Sequence, residues 1–158
     1  MRKIKGADAI KTAGFAQFYF ASWNSLNIIC EQGTKVNTSV AGLWMPAYSN
    51  LCFACELYLR AILKSHQIQP DKINPHSLRD LFDQLEDRHK DKIKDMLILP
   101  KSKQDFDTSI EYLHNFYNKF RYIHDIDGKY PVGFLQDFSK SVKGYWEERE
   151  KILNSIKG

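Results

Sequence analysis

The side chains best suited to chemistry lie along one edge of a predicted helix that ends near residue 124. An imidazole, an amide, a guanidinium and a carboxylate follow one another at spacings of four, three and four residues: His114, Asn118, Arg121 and Asp125. Residues three or four apart share one face of a helix, so these groups would form a continuous strip. A guanidinium can stabilise charge that develops on a phosphate, and an imidazole can transfer a proton near neutral pH. The simpler interpretation is a solvated pair of Arg121 and Asp125.

His124 falls on the apolar stripe of the same predicted helix. A histidine in that position is more often a hydrogen-bonded core residue than a catalyst. It nevertheless lies only one turn from Arg121, so Arg121, His124 and His114 are the catalytic candidates. His66 and His89 belong to no comparable pattern, and we predict that they are ordinary surface residues.

A second polar strip lies on the helix predicted over residues 46–68, where Glu56 and Arg60 are one turn apart. The pair could be solvated, but apolar residues flank it on both sides, and buried polar groups need partners. We therefore expect Glu56 to meet Arg121 at a seam between two helices. The predicted binding residues at this seam are Glu56, Arg60, Asn118 and Asp125.

Cys52 and Cys55 are three residues apart on the same helix and allow three interpretations. A zinc site would need further ligands, and no second Cys-x-x-Cys or paired-histidine motif is nearby. A redox pair would place its first cysteine at the start of a helix. Cys55 instead shares a face with apolar residues, and free cysteine is among the most frequently buried residue types. We predict that both cysteines belong to the core and that no metal or cofactor is bound.

The composition is that of one compact domain, which we place at residues 1–158. Apolar residues make up 43% of the chain, and 23 Lys and Arg residues against 19 Asp and Glu residues give a net charge of +4. The two signs alternate along the chain, so no single-sign stripe argues for a nucleic-acid surface. No segment approaches the roughly 20 apolar residues that a membrane span needs. With three cysteines and no disulfide-like spacing, we expect a reduced, cytoplasmic protein.

Apolar residues recur at helical spacings, and no strand-like alternation of useful length is present. The predicted fold class is therefore all-α, with helices over residues 7–31, 46–68, 76–86, 89–98, 103–124 and 134–156. The third helix has two rival N-caps, Asn74 and the capping pair of Ser77 with Asp80. Pro100 is predicted to stop the fourth helix. The predicted buried face of the first helix comprises Phe15, Phe18, Tyr19, Ser22, Leu26, Ile29 and Cys30. That of the second helix comprises Leu51, Ala54, Cys55, Tyr58, Leu59 and Ile62, and that of the last comprises Leu135, Phe138, Val142, Tyr145, Trp146, Leu153 and Ile156.

Three segments together resemble the HEPN superfamily of small all-helical domains. The run from residue 46 to 68 is similar to the family's ExxxK/R helix through Glu56 and Arg60. PHSLRDLFDQL is similar to the helix that follows it in many members, and FRYIHD is similar to a later segment in some members. The resemblance implies an up-down four-helix bundle with additional helices, often paired as a dimer.

Many HEPN proteins are metal-independent ribonucleases in which an arginine is followed four to six residues later by a histidine. Here His124 is only three residues after Arg121, and Tyr122 replaces the polar residue that usually follows the arginine. This departure favours a non-catalytic homodimer that binds nucleic acid, a nucleotide or a protein partner in a bacterial defence or stress system. The alternative is a divergent metal-independent endoribonuclease that uses Arg121, His124 and His114. A purely structural helical adaptor is a third possibility.

Overall fold

The computed structural model describes residues 2–33, 43–69, 77–119 and 132–156, and it describes side chains throughout these ranges except at 2–5 and 114–119. Their secondary structure is helical and contains no strand, which confirms the all-α prediction. The helices are α1 (Arg2–Gly33), α2 (Trp44–Ser65), α3 (Leu78–Asp83), α4 (Asp87–Asp95), α5 (Pro100–Gln104), α6 (Phe106–Lys119) and α7 (Val132–Ser155).

Helices α1 and α2 pack side by side in opposite directions. Near the end of α2, the Lys64 ammonium lies 3.0 Å from a carboxylate oxygen of Asp8 and donates a 3.2 Å hydrogen bond to Thr12, both near the start of α1. Further along, the rings of Tyr19 and Phe53 lie 5.6 Å apart. The start of α1 thus contacts the end of α2, and later residues of α1 contact earlier residues of α2, so the two helices are antiparallel.

The predicted buried face of α1 is wrong by about one residue over most of the helix. Of its members, Cys30 is buried as predicted and Leu26 is half-buried, whereas Phe15, Phe18, Tyr19, Ser22 and Ile29 are exposed. The other side chains of α1 that enter the core are Ala9, Ala13, Ala16 and Trp23. One residue corresponds to a rotation of about 100° around the helix axis. Small alanine side chains let α1 approach α2 closely, and this contact outweighs the larger apolar residues that suggested the other face.

The apolar face predicted for α2 is confirmed. Leu51, Ala54, Cys55, Tyr58, Leu59 and Ile62 are all buried. Besides α1, this helix contacts α7, which runs parallel to it. Gln136 donates a hydrogen bond to the Tyr48 hydroxyl near the start of both helices, and Arg149 donates one to the Ser65 hydroxyl near their ends. Contact with two long helices explains why so much of the circumference of α2 is buried.

Helices α3 and α6 are antiparallel and share aromatic packing with α7. The Ser77 hydroxyl accepts a 3.0 Å hydrogen bond from the Asp80 backbone N–H, so the second of the two predicted caps is confirmed, while Asn74 lies outside the described residues. The Phe82 and Phe106 rings are 5.1 Å apart, and both pack against Phe138 of α7.

Pro100 begins a helix, and the prediction that it stops the preceding one is wrong, because α4 already ends at Asp95. It occupies the first turn of α5, where its fixed φ suits the helix and no backbone N–H is needed. The turn before it is held by the buried carboxylate of Asp137 on α7, which accepts hydrogen bonds from the backbone N–H groups of Ile98 at 3.0 Å and Leu99 at 2.9 Å. This interaction ties the junction of α4 and α5 to α7.

The apolar stripe predicted for the last helix is largely confirmed. Its buried members on α7 are Leu135, Phe138, Val142, Tyr145 and Trp146. Leu153 is half-buried, and Ile156, just beyond the helix, is 76% exposed. Buried residues from α1, α2, α3, α4, α6 and α7 form one continuous hydrophobic cluster. None of the described helices combines the length and apolar character needed to cross a membrane.

Candidate functional site

Glu56 and Arg60 form a buried ion pair on α2. Arg60 Nε lies 3.0 Å from Glu56 Oε1, and Glu56 is only 6% exposed. The solvated alternative for this pair is therefore wrong. Ion pairs in such surroundings are costly to break, because either partner alone would be a buried, uncompensated charge.

The other residues of the predicted site do not have described side chains. His114 and Asn118 lie on α6, but only their backbone is described. Arg121, His124 and Asp125 lie outside the described residues. The seam between Glu56 and Arg121 therefore remains a prediction.

The structure instead brings together two histidines that the sequence pattern left apart. A cavity of about 260 Å³ lies where the end of α2 meets α4 and α7. We call it the histidine pocket, and it is lined by His66, Arg88, His89, Lys92, Tyr145, Glu148, Arg149 and Ile152. The two imidazole rings lie 4.0 Å apart, centre to centre, and are inclined by 31°. The prediction that His66 and His89 are ordinary surface residues is wrong.

A short hydrogen-bond chain sets the tautomer of His89. Arg88 Nε–H donates to His89 Nε2 at 3.2 Å, so this ring nitrogen carries no proton. The proton of the neutral ring is then on Nδ1, which lies 2.5 Å from the Tyr145 hydroxyl oxygen. With that oxygen acting as acceptor, the Tyr145 O–H remains available to donate to another group. Burial raises the pKa of Tyr145, so this proton is retained at neutral pH.

His66 is neutral and carries an unsatisfied polar atom. Burial, together with the positive charge of Arg149 and the neighbouring His89, lowers its pKa to about 4. Its Nε2 atom is buried and has no hydrogen-bond partner within the described ranges. Buried polar atoms are nearly always satisfied, so an exception calls for an explanation.

The cations of the histidine pocket differ in how they are neutralised. Lys92 lies 2.5 Å from a carboxylate oxygen of Glu148, and Arg88 lies 2.8 Å from one of Glu86. Arg149 donates only to Ser65, from Nε to the hydroxyl and from Nη2 to the backbone oxygen, both at 3.2 Å. No carboxylate of the described residues is within ion-pair distance of Arg149. The pocket therefore contains a guanidinium without a counter-ion among those residues.

Sequence reasoning missed this pocket because its members come from three separate helices. The available signals were local: Tyr145 and Arg149 share one face of α7, and His89 and Lys92 share one face of α4. Nothing in these spacings indicated that the end of α2 would bring His66 against them.

The cysteines are core residues, as predicted. Cys52 and Cys55 are free thiols and essentially inaccessible. Desolvation raises the pKa of Cys55 to about 12 and that of Cys52 further still. Thiols of this kind are poor nucleophiles because little thiolate is present. The described side chains include no cluster of three or more potential metal ligands.

A second candidate surface lies on α1. It consists of Phe15, Phe18, Tyr19 and Ile29, with Phe53 of α2 beside Tyr19, and we call it the α1 aromatic face. Phe18 is 73% exposed and Phe15 is 53% exposed. The sequence between Lys11 and Glu31 contains no charged residue, although many of its positions face outward. Apolar surface of this kind marks a candidate interaction site.

Comparison of the chain with protein-family models, with curated proteins and with solved structures finds no match to any of them.

Proposed function

We propose that this protein is an HEPN-like helical module that works as a homodimer and binds nucleic acid, a nucleotide or a protein partner without cleaving it. The resemblance of its sequence segments suggests a bacterial defence or stress system and an up-down four-helix bundle with additional helices. The buried pair of Glu56 and Arg60 supports the resemblance, because these are the two residues that match the family's ExxxK/R motif.

The α1 aromatic face is the main structural support for the proposed homodimer. Its members expose between about a third and three quarters of their surface. Large apolar side chains contribute on the order of 100 Å² each at such exposure, so the face offers roughly 500 Å² per protomer. A stable interface buries roughly 800 Å² per partner, and the uncharged residues around the face can supply the difference.

A second copy of the chain is the partner that fits the chemistry of this face. The cores of protein interfaces are depleted in charge and enriched in aromatic residues, as α1 is between Lys11 and Glu31. A two-fold interface places one patch against itself, so an uncharged patch meets no unpaired charge. The small residues Gly14, Ala21 and Ser25 beside the aromatic side chains allow two such helices to approach closely.

Light scattering after size-exclusion chromatography tests the homodimer. We expect twice the chain mass for the wild type at micromolar concentrations. Phe18→Glu should give a folded monomer, because two buried, unpaired carboxylates would oppose each other across the two-fold axis. Ile156→Glu is the matched control, since it changes another exposed apolar residue away from α1. A monomeric wild type, or a dimer that survives Phe18→Glu, would contradict the proposal.

An RNA-cleavage assay separates the binding module from the ribonuclease alternative. Mixed RNA is incubated with the wild type, Arg121→Ala and His124→Ala, with divalent metals chelated. We expect intact RNA in all three reactions. Cleavage by the wild type that both variants lose would replace the binding module with a divergent metal-independent endoribonuclease.

A further inference from the structure

We propose that the histidine pocket binds a phosphate monoester, such as the terminal phosphate of a 5′-nucleotide. The proposal specifies one ligand for the binding module described above. It rests on residues of α2, α4 and α7, whereas the homodimer rests on the outer face of α1. An experiment can therefore disprove the phosphate site without affecting the homodimer, and the reverse also holds.

Hydrogen-bond donors outnumber acceptors in the pocket. Arg88, Lys92, Arg149 and the Tyr145 hydroxyl are donors, and Glu148 is the one carboxylate in the lining. Glu148 is already engaged by Lys92, and the free ring nitrogen of His89 is engaged by Arg88. Arg149 has N–H groups beyond the two bonded to Ser65, and the Tyr145 O–H has no acceptor among the described residues. A ligand rich in oxygen atoms can accept hydrogen bonds from both.

The His66 ring forms part of the pocket wall, 4.0 Å from the ring of His89. Its depressed pKa keeps it neutral at pH 7, so it adds no charge beside Arg149. Its Nε2 atom lies below the surface of the pocket. The donors that an occupant rich in oxygen atoms would meet are therefore Tyr145 and Arg149.

Hydrogen-bonding capacity and size favour a phosphate monoester among anions. With neutral histidines, with Arg88 paired to Glu86 and with Lys92 paired to Glu148, Arg149 is the lining cation that no described carboxylate balances. A phosphate monoester carries about two negative charges at pH 7, because its second pKa is about 6, and it offers three strong acceptor oxygens to Arg149 and its neighbours. A cavity of about 260 Å³ lies just below the range of roughly 300–1,000 Å³ typical of drug-sized ligands. It suits a phosphate and part of its sugar better than a larger ligand.

The walls of the pocket are suited to the group that carries the phosphate. The rings of Tyr145, His66 and His89 and the side chain of Ile152 are flat or apolar surfaces next to the cations. A sugar or base can pack against such surfaces while its phosphate meets Arg149. This arrangement favours a mononucleotide over inorganic phosphate alone.

Isothermal titration calorimetry tests the site with three probes: adenosine 5′-monophosphate, inorganic phosphate and adenosine. We expect the first two to bind and adenosine not to bind. Arg149→Gln should weaken binding at least ~10-fold, as expected for loss of a charged hydrogen bond to an anion. Tyr145→Phe should cause a smaller loss. Arg79→Gln is the matched control, because Arg79 lies on α3 and pairs with Asp83 and Glu111 outside the pocket.

The affinities of the three probes show whether the pocket recognises a nucleotide or only its phosphate group, and they also show whether the proposal fails. Tighter binding of the mononucleotide than of inorganic phosphate supports a nucleotide site, and equal binding supports a site for the phosphate group alone. Circular dichroism confirms that each variant is folded. Adenosine binding as tightly as its monophosphate, the absence of binding by either phosphate, or an unchanged affinity in folded Arg149→Gln would overturn the proposal.

Discussion

At the residue scale, the environment of His66 determines its charge. Arg149 faces it from α7, and His89, Arg88 and Glu86 face it from α4. Burial is the largest influence, and the cations outweigh Glu86, so all the main effects favour the neutral ring. A histidine that stays neutral at pH 7 can donate or accept one hydrogen bond without repelling Arg149.

The depressed pKa of His66 predicts a specific loss of stability in acid. In the unfolded chain its pKa is near 6.5, whereas in the folded protein it is about 4. The unfolded state therefore takes up a proton first, so this contribution to stability is complete above pH 6.5 and is lost as the pH falls toward 4. Allowing for partial exposure to solvent, the loss is about 1–2 kcal/mol.

Urea unfolding of the wild type and His66→Gln between pH 7 and pH 4.5 measures this loss. The wild type should lose more free energy of unfolding over that interval than the variant, which has no imidazole at this position. Ionisable groups far from His66 cancel in the comparison, whereas His89 is coupled to it, so both measurements are also made in a His89→Gln background. Equal losses in the two proteins would show that His66 is not buried as described.

At the element scale, the position of α1 is set by its small residues. Ala9, Ala13 and Ala16 lie against the core and are almost inaccessible, while the aromatic residues beside them stay outside. Close helix packing gains dispersion contacts along both helices, and at the three alanine positions it leaves no room for a larger side chain. The larger apolar side chains of α1 are therefore left on its outer side, where we propose that a second copy of the chain docks.

Two alanine substitutions test this packing. Ala16→Leu inserts a larger side chain into the contact between α1 and α2 and should destabilise the protein by about 1–3 kcal/mol. Ala7→Leu makes the same chemical change at an exposed position of α1 outside the α1 aromatic face and should alter stability by less than about 0.5 kcal/mol. The measurement is the free energy of unfolding from urea titration. Similar effects of the two changes would mean that α1 buries a different face.

At the scale of the whole molecule, α2 is the helix around which α1, α3 and α7 pack. It contacts α1 on one side and α7 on another, and it carries both Cys52 and Cys55 into the continuous core. No local movement of a loop would expose these thiols, since they lie between long helices. Their reactivity should therefore report opening of the entire fold.

Thiol labelling tests this expectation. In a Cys30→Ala background, Cys52 and Cys55 should react with a disulfide reagent only slowly at pH 8 and at similar rates, and low concentrations of urea should accelerate both together. Ser155→Cys in the same background is the control, because residue 155 is exposed and its thiol should react at once. Rapid labelling of either native cysteine in buffer would contradict the buried position.

Local sequence was sufficient for the features that depend on neighbours along the chain. The helical class, the capping of α3 by Ser77, the buried face of α2 and the apolar stripe of α7 all follow from periodicity and side-chain chemistry within one segment. The core role of the cysteines follows in the same way, because Cys55 repeats with the apolar residues around it. The new helix at Pro100 was missed, since proline suits both the end of one helix and the start of the next.

Other features depended on which segments meet in space. The rotation of α1 was decided by how closely it can approach α2, and the histidine pocket exists because the ends of α2, α4 and α7 converge. In both cases the free energy comes from packing and electrostatics between residues far apart in the chain, and spacing along one helix carries no information about such distances. Helical periodicity identifies apolar and polar faces, but only the tertiary contacts determine which apolar face is buried and which polar side chains share a cavity.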